Sequence, residues 1–381
     1  MKMNWKVYLS DIDLSQKEIQ AVTKVLKSRW LTMGEVTQNF EKAFAKFLGV
    51  KHALAVASGT AALHLALKAL KLKPGDEVLL PSLTFVASAN AVVYNQAQPV
   101  FVDITSLDNL NISLEDLQRK ITDKTRAILV VHYAGYPADM VRINALAEKY
   151  NLAVIEDSAH AIGAEINKKK TGIWGEMGCF SFFSNKNLVT GEGGMLVTDS
   201  DELARKLKLL RSHGMTTLTW ERHKGQAHCY DVVDLGFNYR MTEIESALGI
   251  EQLKKLKANN AKREKLTKLY IKHLKGVSQI KIPFLNYPYS SSFHIFPILL
   301  NESTDRNWFL EEMKKRKIQT SVHYQPVHKF TYYQNNFPEV REISLPHTEY
   351  VGRKEVTLPL HPLMTGKDIL YVCNSLKKIL K

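Results

Sequence analysis

The protein has 381 residues, of which 45% are hydrophobic and 24% are charged. A chain of this length accommodates two domains, and its apolar content excludes an intrinsically disordered protein, because enough hydrophobic surface is present to offset the entropy lost on folding. With only 3 cysteines, 19 glycines and 12 prolines, it is neither a disulfide-stabilised mini-protein nor collagen-like.

The net charge is strongly positive, +14 from 52 Lys and Arg against 38 Asp and Glu. We attribute most of this excess to solvated helix faces, because no basic cluster alternates with aromatic residues as in a nucleic-acid-binding surface. An anionic small substrate is also compatible with this charge. The sequence has no apolar run long enough to cross a bilayer, no secretory signal at its start and no paired cysteines. We therefore expect a cytoplasmic protein with reduced thiols and with neither a membrane nor a nucleic-acid partner.

Between residues 53 and 155, short β-rich runs alternate with helical stretches. The predicted strands are residues 53–57, 77–80, 99–104, 127–131 and 152–155, and the predicted helices are residues 60–70, 85–94 and 140–150. Strands that are almost continuously apolar, such as residues 127–131, are typical of a sheet covered by helices on both faces. The alternation therefore predicts an α/β fold with a mostly parallel sheet.

The last third of the chain has a different pattern. From residue 242 to about residue 274, apolar residues recur at helical spacing without a break, which predicts one long helix. Beyond Gly276 a strand-like run at residues 292–299 precedes a helix around residues 308–316. We therefore predict a large domain over residues 1–250, followed over residues 251–381 by a linking helix and a smaller α+β domain.

The first segment suited to chemistry is Ser58-Gly59-Thr60-Ala61, between a predicted strand and a predicted helix. A helix N-terminus combines unpaired N–H groups with partial positive charge, which suits a phosphate group. Gly59 lets the backbone approach closely, and Thr60 adds a hydroxyl. An ordinary helix cap has the same sequence, and neither a P-loop nor a dinucleotide glycine fingerprint is present.

Two further segments contain ionisable residues next to apolar runs. Asp157 follows a buried strand, at the edge where open α/β sheets bind ligands, although a helix-capping role is an alternative. Lys186 follows an aromatic run that contains Ser181. Burial of its ammonium would lower its pKa and free the amine for a Schiff base; a surface lysine at a strand end is the alternative. Together, a phosphate cradle, an acid and an amine match what pyridoxal phosphate requires.

On these residues the sequence resembles the DegT/DnrJ/StrS aminotransferases, the sugar-nucleotide branch of the fold-type-I pyridoxal phosphate enzymes. The resemblance covers nearly the whole chain. It is carried by Trp30-Leu31-Thr32, Pro81-Ser82-Leu83-Thr84-Phe85, Glu156-Asp157-Ser158-Ala159-His160, residues 181–194, Gly236-Phe237-Asn238-Tyr239-Arg240, His323-Tyr324-Gln325-Pro326 and Leu358-Pro359-Leu360-His361-Pro362. It implies a large domain with a mostly parallel seven-stranded sheet and a smaller α+β C-terminal domain.

The resemblance also implies residue roles. Lys186 would bind the cofactor aldehyde and Asp157 would keep the pyridine nitrogen protonated, and these two are the catalytic residues. The residues implied in binding pyridoxal 5'-phosphate are Gly59, Thr60, Ala61, Phe85, Asp157, His160, Ser181, Lys186 and, from a neighbouring subunit, Asn238. Those implied in substrate binding are Arg240, Trp30, His323 and Tyr324. A structural ion pair for Arg240 and ordinary packing for the other three are equally open, and no metal is implied.

The implied reaction is transfer of an amino group from L-glutamate to the keto group, at C3 or C4, of a nucleotide-diphosphate sugar. The implied enzyme is a homodimer with shared active sites. An aminocyclitol or keto-inositol aminotransferase and a non-catalytic pyridoxal-phosphate-binding regulator are the alternatives. Residues 215–234, with Trp220, Arg222, His223 and His228, have no assigned role. We favour solvated or substrate-loop histidines there over a metal site.

Overall fold

The computed structural model describes residues 5–217, 225 and 229–381. Its helices, in chain order, are α1 Gln16–Ser28, α2 Glu35–Leu48, α3 Gly59–Ala69, α4 Val86–Tyr94, α5 Leu114–Lys120, α6 Met140–Tyr150, α7 Asp201–Arg211, α8 Glu243–Leu274, α9 Arg306–Lys315, α10 Thr331–Asn336, α11 Pro338–Arg341, α12 Pro346–Lys354 and α13 Gly366–Ile379. Its strands are β1 His52–Val56, β2 Glu77–Pro81, β3 Gln98–Val102, β4 Thr125–Val131, β5 Ala153–Asp157, β6 Glu165–Ile166, β7 Lys169–Lys170, β8 Met177–Ser181, β9 Gly194–Thr198, β10 Ile280–Lys281, β11 Phe296–Leu300 and β12 Glu355–Leu358. Among the described helices, none is long and apolar enough to span a bilayer.

The central sheet has seven strands in the order β1, β9, β8, β5, β4, β2, β3. Strand β2 pairs in parallel with β3 and β4, and β5 pairs in parallel with β4 and β8, whereas β9 is antiparallel to both its neighbours. The pairing places Val131, Asp157 and Cys179 side by side near one edge of the sheet. The prediction of a mostly parallel seven-stranded sheet is therefore confirmed.

Helices cover the sheet because its strands are apolar on both faces. One buried cluster joins α3 and α4 to the sheet through residues such as Leu65, Val78 and Leu129, and another packs α6 against the opposite face through Ile143. A third cluster, centred on Phe40, Phe44 and Phe182, attaches α2 to the sheet. The layers hold the strand ends in fixed positions, which is what the site requires.

A three-stranded antiparallel sheet of β10, β11 and β12 forms a second layer with α8, α9 and α13 around its own apolar cluster. Helix α8 begins at a capping box in which Thr242 and Glu245 bond to each other's backbone, so the predicted long helix is confirmed. The predicted boundary at residue 250 falls inside this helix, and the division into two domains stays a prediction.

Two predicted strands differ from the observed ones because backbone hydrogen bonds outside the sheets compete with those of the strands. Strand β3 stops at Val102, since Ile104 turns away and pairs with Ile112. Strand β11 starts only at Phe296, because the N–H groups of Ser292 and His294 donate to carbonyls at residues 134–135.

Candidate active site

A cavity of about 360 Å³ opens where the carboxyl ends of β5 and β8 meet the N-terminus of α3. Nine of the predicted site residues line it: Gly59, Thr60, Phe85, Asp157, His160, Ser181, Lys186, His323 and Tyr324. They come from five separate segments of the chain, which the parallel strands bring to one edge of the sheet. The fold therefore assembles most of the predicted site within one subunit.

Lys186 lies in the loop between β8 and β9, where its backbone N–H closes a turn on the Phe183 carbonyl at 2.9 Å. Part of its side chain is accessible through the cavity, but protein atoms surround the amine. This burial lowers the pKa of Lys186 to about 8, although the charge of Asp157 acts in the opposite direction. A lysine with a pKa near neutrality can act both as a nucleophile and as a proton-transfer group.

Asp157 ends β5 and is 7% exposed. Burial raises the pKa of this carboxyl, while hydrogen bonds from Ser88 and from the Ala159 N–H, with the charge of Lys186, oppose that rise. The Ser88 hydroxyl donates to Oδ2 at 2.8 Å, and the Ala159 N–H donates to Oδ1 at 3.1 Å. Both bonds orient the carboxylate toward the cavity. The sequence alone did not indicate Ser88, which lies one helical turn after Phe85.

The predicted phosphate cradle is the first turn of α3. Ser58 caps the helix by accepting the Ala61 N–H at 3.1 Å, so Ala61 belongs to the cap while Gly59 and Thr60 line the cavity. A Cβ on Gly59 would lie 2.8 Å from the Ser181 Cβ, closer than ordinary contacts allow. Only glycine leaves this approach open, and the positive end of the helix favours an anion there.

His160 and Tyr324 form a polar pair on the cavity wall. The Tyr324 hydroxyl and His160 Nε2 are 2.9 Å apart, and burial holds the pKa of His160 well below its usual value. His160 Nδ1 is buried without a partner among the described residues, so a ligand in the cavity can satisfy it. Phe85 is 56% exposed, with its ring centroid 6.0 Å from that of Tyr324, so it presents an open aromatic face rather than belonging to the core.

His323 is held from behind by two groups that the sequence analysis missed. Its Nδ1 is 2.8 Å from the Thr357 hydroxyl, which donates to the Glu355 carboxyl at 2.5 Å. The Glu355 carboxyl also accepts the His323 backbone N–H at 2.7 Å. The i, i+2 spacing of the two side chains on one strand is the only signal that could have suggested this arrangement.

Besides Ala61, three predicted site residues do not line the cavity of one subunit. Asn238 is exposed beside Ser212, and Arg240 bridges the backbone of Val56. Trp30 lies against Gly34, whose added Cβ would be 2.7 Å from the indole nitrogen. The roles of all three stay predictions.

The possible metal site formed by His223 and His228 lies outside the described residues, as do Trp220 and Arg222. Within the described part of the chain, no group of three or more His, Cys, Asp and Glu side chains has an arrangement suited to a metal ion.

The cavity residues fit pyridoxal phosphate on several independent observations. The space above Gly59 suits a phosphate, the buried Asp157 carboxyl suits a protonated ring nitrogen, and the Lys186 amine suits the aldehyde. The unpartnered Nδ1 of His160 leaves one more polar contact for the ring. Fold and cavity together therefore define a fold-type-I pyridoxal phosphate enzyme.

The chain belongs to the DegT/DnrJ/EryC1/StrS aminotransferase family, whose model matches residues 12–377. The spore coat polysaccharide biosynthesis protein SpsC of Bacillus subtilis is 38% identical over 373 residues, covering 97% of this chain and 95% of SpsC. PseC of Helicobacter pylori, an aminotransferase involved in the biosynthesis of pseudoaminic acid, superposes with a TM-score of 0.91 at 33% identity, over 98% of this chain and 99% of PseC. The putative sugar aminotransferase Spr1654 of Streptococcus pneumoniae, in its pyridoxal phosphate form, superposes with a TM-score of 0.90 at 28% identity, over 98% of both chains. The predicted fold type, enzyme class and cofactor are thereby confirmed.

Proposed function

We propose that this enzyme moves the amino group of L-glutamate to the keto group of a nucleotide-diphosphate sugar. The observation that carries the proposal is the buried Lys186 amine, with a pKa lowered to about 8, beside the Asp157 carboxyl in a cavity at the sheet edge. The similarity to PseC and SpsC supports a sugar acceptor, because PseC is an aminotransferase involved in the biosynthesis of pseudoaminic acid and SpsC is a spore coat polysaccharide biosynthesis protein. The net charge of +14 would also favour an anionic nucleotide substrate.

In this proposal each residue has one physical task. Bound pyridoxal phosphate supplies an aldehyde for the amino group and a ring that withdraws electrons from the adjacent carbon. Gly59, Thr60 and Ser181 would hold its phosphate, and Asp157 would keep its ring nitrogen protonated. Lys186 would then take a proton from the donor carbon and return one, which a desolvated amine with a pKa near the working pH does efficiently. His160 would hold the ring from its other edge.

We also propose a homodimer in which a second copy completes each cavity. Val232, Val233 and Leu235 are 56%, 55% and 75% exposed, and they lie in one short segment just before Asn238. Exposed apolar side chains in one segment favour contact with another protein surface. A second copy covering them would bring its Asn238 toward the phosphate end of the neighbouring cavity, as the family resemblance implies.

A cytoplasmic location completes the proposal. Cys179 and Cys373 are buried and Cys229 is exposed, and all three are free thiols. Unpaired cysteines are typical of proteins in a reducing compartment.

The test is product analysis by mass spectrometry with ¹⁵N-labelled glutamate and a panel of keto-sugar nucleotides and keto-inositols. We expect label in at least one nucleotide sugar and none in the inositols. Lys186→Ala should abolish both the label and the borohydride-reducible chromophore, whereas Lys254→Ala, at an exposed lysine, should leave both unchanged. Label found only in a keto-inositol would refute the proposed nucleotide-sugar acceptor. A cofactor spectrum that does not respond to glutamate would refute the proposed donor.

A further inference from the structure

Three buried side chains form a hydrogen-bonded chain that leads away from the cavity. Glu355, at the start of β12, is fully buried, and its Oε1 accepts the Thr357 hydroxyl at 2.5 Å. The same hydroxyl oxygen is 2.8 Å from Nδ1 of His323. Among the described residues, the other ring nitrogen of His323 makes no hydrogen bond, and the ring lines the cavity together with Lys186. The chain therefore connects a cavity-facing nitrogen to a carboxyl that has no other task in the reaction.

When Glu355 is ionised, every proton in this chain has one possible position. A carboxylate only accepts hydrogen bonds, so the Thr357 hydroxyl must donate to Glu355. Its oxygen is then left to accept from His323, which must carry its proton on Nδ1. His323 Nε2 consequently presents an unprotonated lone pair to the cavity.

When Glu355 is protonated on Oε1, all the donors reverse. Glu355 donates to the Thr357 oxygen, the Thr357 hydroxyl donates to Nδ1, and His323 carries its proton on Nε2. The two arrangements differ by one proton taken up at Nε2. In that uptake the N–H bond forms at Nε2, the Nδ1 proton passes to Thr357, and the Thr357 proton passes to Glu355.

We propose that Glu355 and Thr357 are positioning residues that let His323 take up and release a proton beside Lys186 while its imidazole stays neutral. The backbone N–H of His323, bound to Glu355 Oε2 at 2.7 Å, fixes which carboxyl oxygen faces Thr357. Tyr133 also donates its hydroxyl to the His323 carbonyl, which holds the segment in place. This inference rests on the proposed function in one respect: the proton that His323 takes up would come from the proposed reaction.

The electrostatics explain why a relay is useful here. Burial and the charge of Lys186 lower the pKa of His323 to about 4, so an isolated imidazole would be a poor base. Burial raises the pKa of Glu355 to about 8, close to that of Lys186. Matched proton affinities allow transfer in either direction. The ionisable groups that face Glu355 are Arg306, Tyr133, Tyr324 and His323, and those that face His323 are Lys186, His160, His294 and Glu355.

The direct test is the tautomer of His323, measured by ¹⁵N NMR on histidine-labelled protein prepared without cofactor and assigned with His323→Asn. We expect Nε2–H at low pH and Nδ1–H at high pH, with a midpoint near 8. Glu355→Gln should hold Nε2–H throughout, because its amide nitrogen would replace the protonated oxygen. A tautomer that does not change with pH in the natural protein would overturn the proposal, whatever the substrate is.

A matched pair of variants separates the relay from mere packing. Thr357→Val keeps the shape and removes the hydroxyl, whereas Thr357→Ser keeps the hydroxyl and removes the methyl. We expect Thr357→Val to abolish the tautomer switch and to lower kcat about 10- to 100-fold with little change in KM, and we expect Thr357→Ser to behave like the natural protein. Equal behaviour of the two variants in the NMR titration would refute the role of the hydroxyl.

Discussion

The most informative prediction concerns the free-amine population of Lys186 before the cofactor binds. An ordinary lysine is only about 0.03% neutral at pH 7, whereas a pKa of about 8 makes about 10% of Lys186 neutral, a gain of roughly 300-fold. The corresponding free energy is about 3 kcal/mol in favour of the uncharged amine. Because the charge of Asp157 raises this pKa against the effect of burial, Asp157→Asn should lower it further.

The assay is competitive acetylation of the cofactor-free protein across pH 6–11, with each lysine quantified by peptide mass spectrometry. Lys186 should reach half its maximal reactivity near pH 8, and near a lower pH in Asp157→Asn. Asp108→Asn, which removes an exposed carboxylate paired with Lys281, serves as the control and should leave the Lys186 midpoint unchanged. A Lys186 midpoint near 10.5, or one that rises in Asp157→Asn, would refute the reasoning.

Three further predictions address the cradle, the dimer and the long helix. Gly59→Ala should weaken pyridoxal phosphate binding at least about tenfold in a fluorescence titration, because the new Cβ would meet Ser181 at 2.8 Å; Gly366→Ala, whose Cβ would be 3.6 Å from Leu269, should bind normally, and equal affinities would contradict the cradle. Leu235→Glu should shift the protein toward monomers in sedimentation experiments, whereas Leu370→Glu, at another exposed leucine, should not; an unchanged dimer in Leu235→Glu would exclude that surface. Glu243→Ala should lower the free energy of unfolding by about 3 kcal/mol in a denaturant titration, because the buried or partly buried N–H groups of Gly34, Val36 and Thr37 would lose their acceptor; Glu264→Ala, at an exposed ion pair with Lys268, is the control, and equal losses would rule out this explanation.

Much of the fold was predictable because its signals are local. Apolar runs and turn residues at residues 53–155 predict alternating strands and helices, and the helical repeat beyond Thr242 predicts α8. The errors occurred where backbone groups outside the predicted strands compete for hydrogen bonds, as where Ile104 pairs with Ile112 and Ser292 bonds to Gly135. Those partners are specified by packing and not by neighbouring residues.

The sequence by itself determined which chemistry the protein carries: a lysine, an acid and a helix-terminal glycine in the order that a pyridoxal phosphate site needs. Only the tertiary structure decided how those groups behave, because burial and long-range contacts set their pKa values and orientations. Ser88 orients Asp157, and Thr357 with Glu355 supports His323. The bonds to Asp157 and His323 join segments far apart in the chain, and the spacing of Glu355 and Thr357 on one strand does not by itself indicate a function. The same reason explains why Trp30, Asn238 and Arg240 stay outside the cavity of a single subunit: a resemblance identifies residues, but the folded chain determines which of them meet.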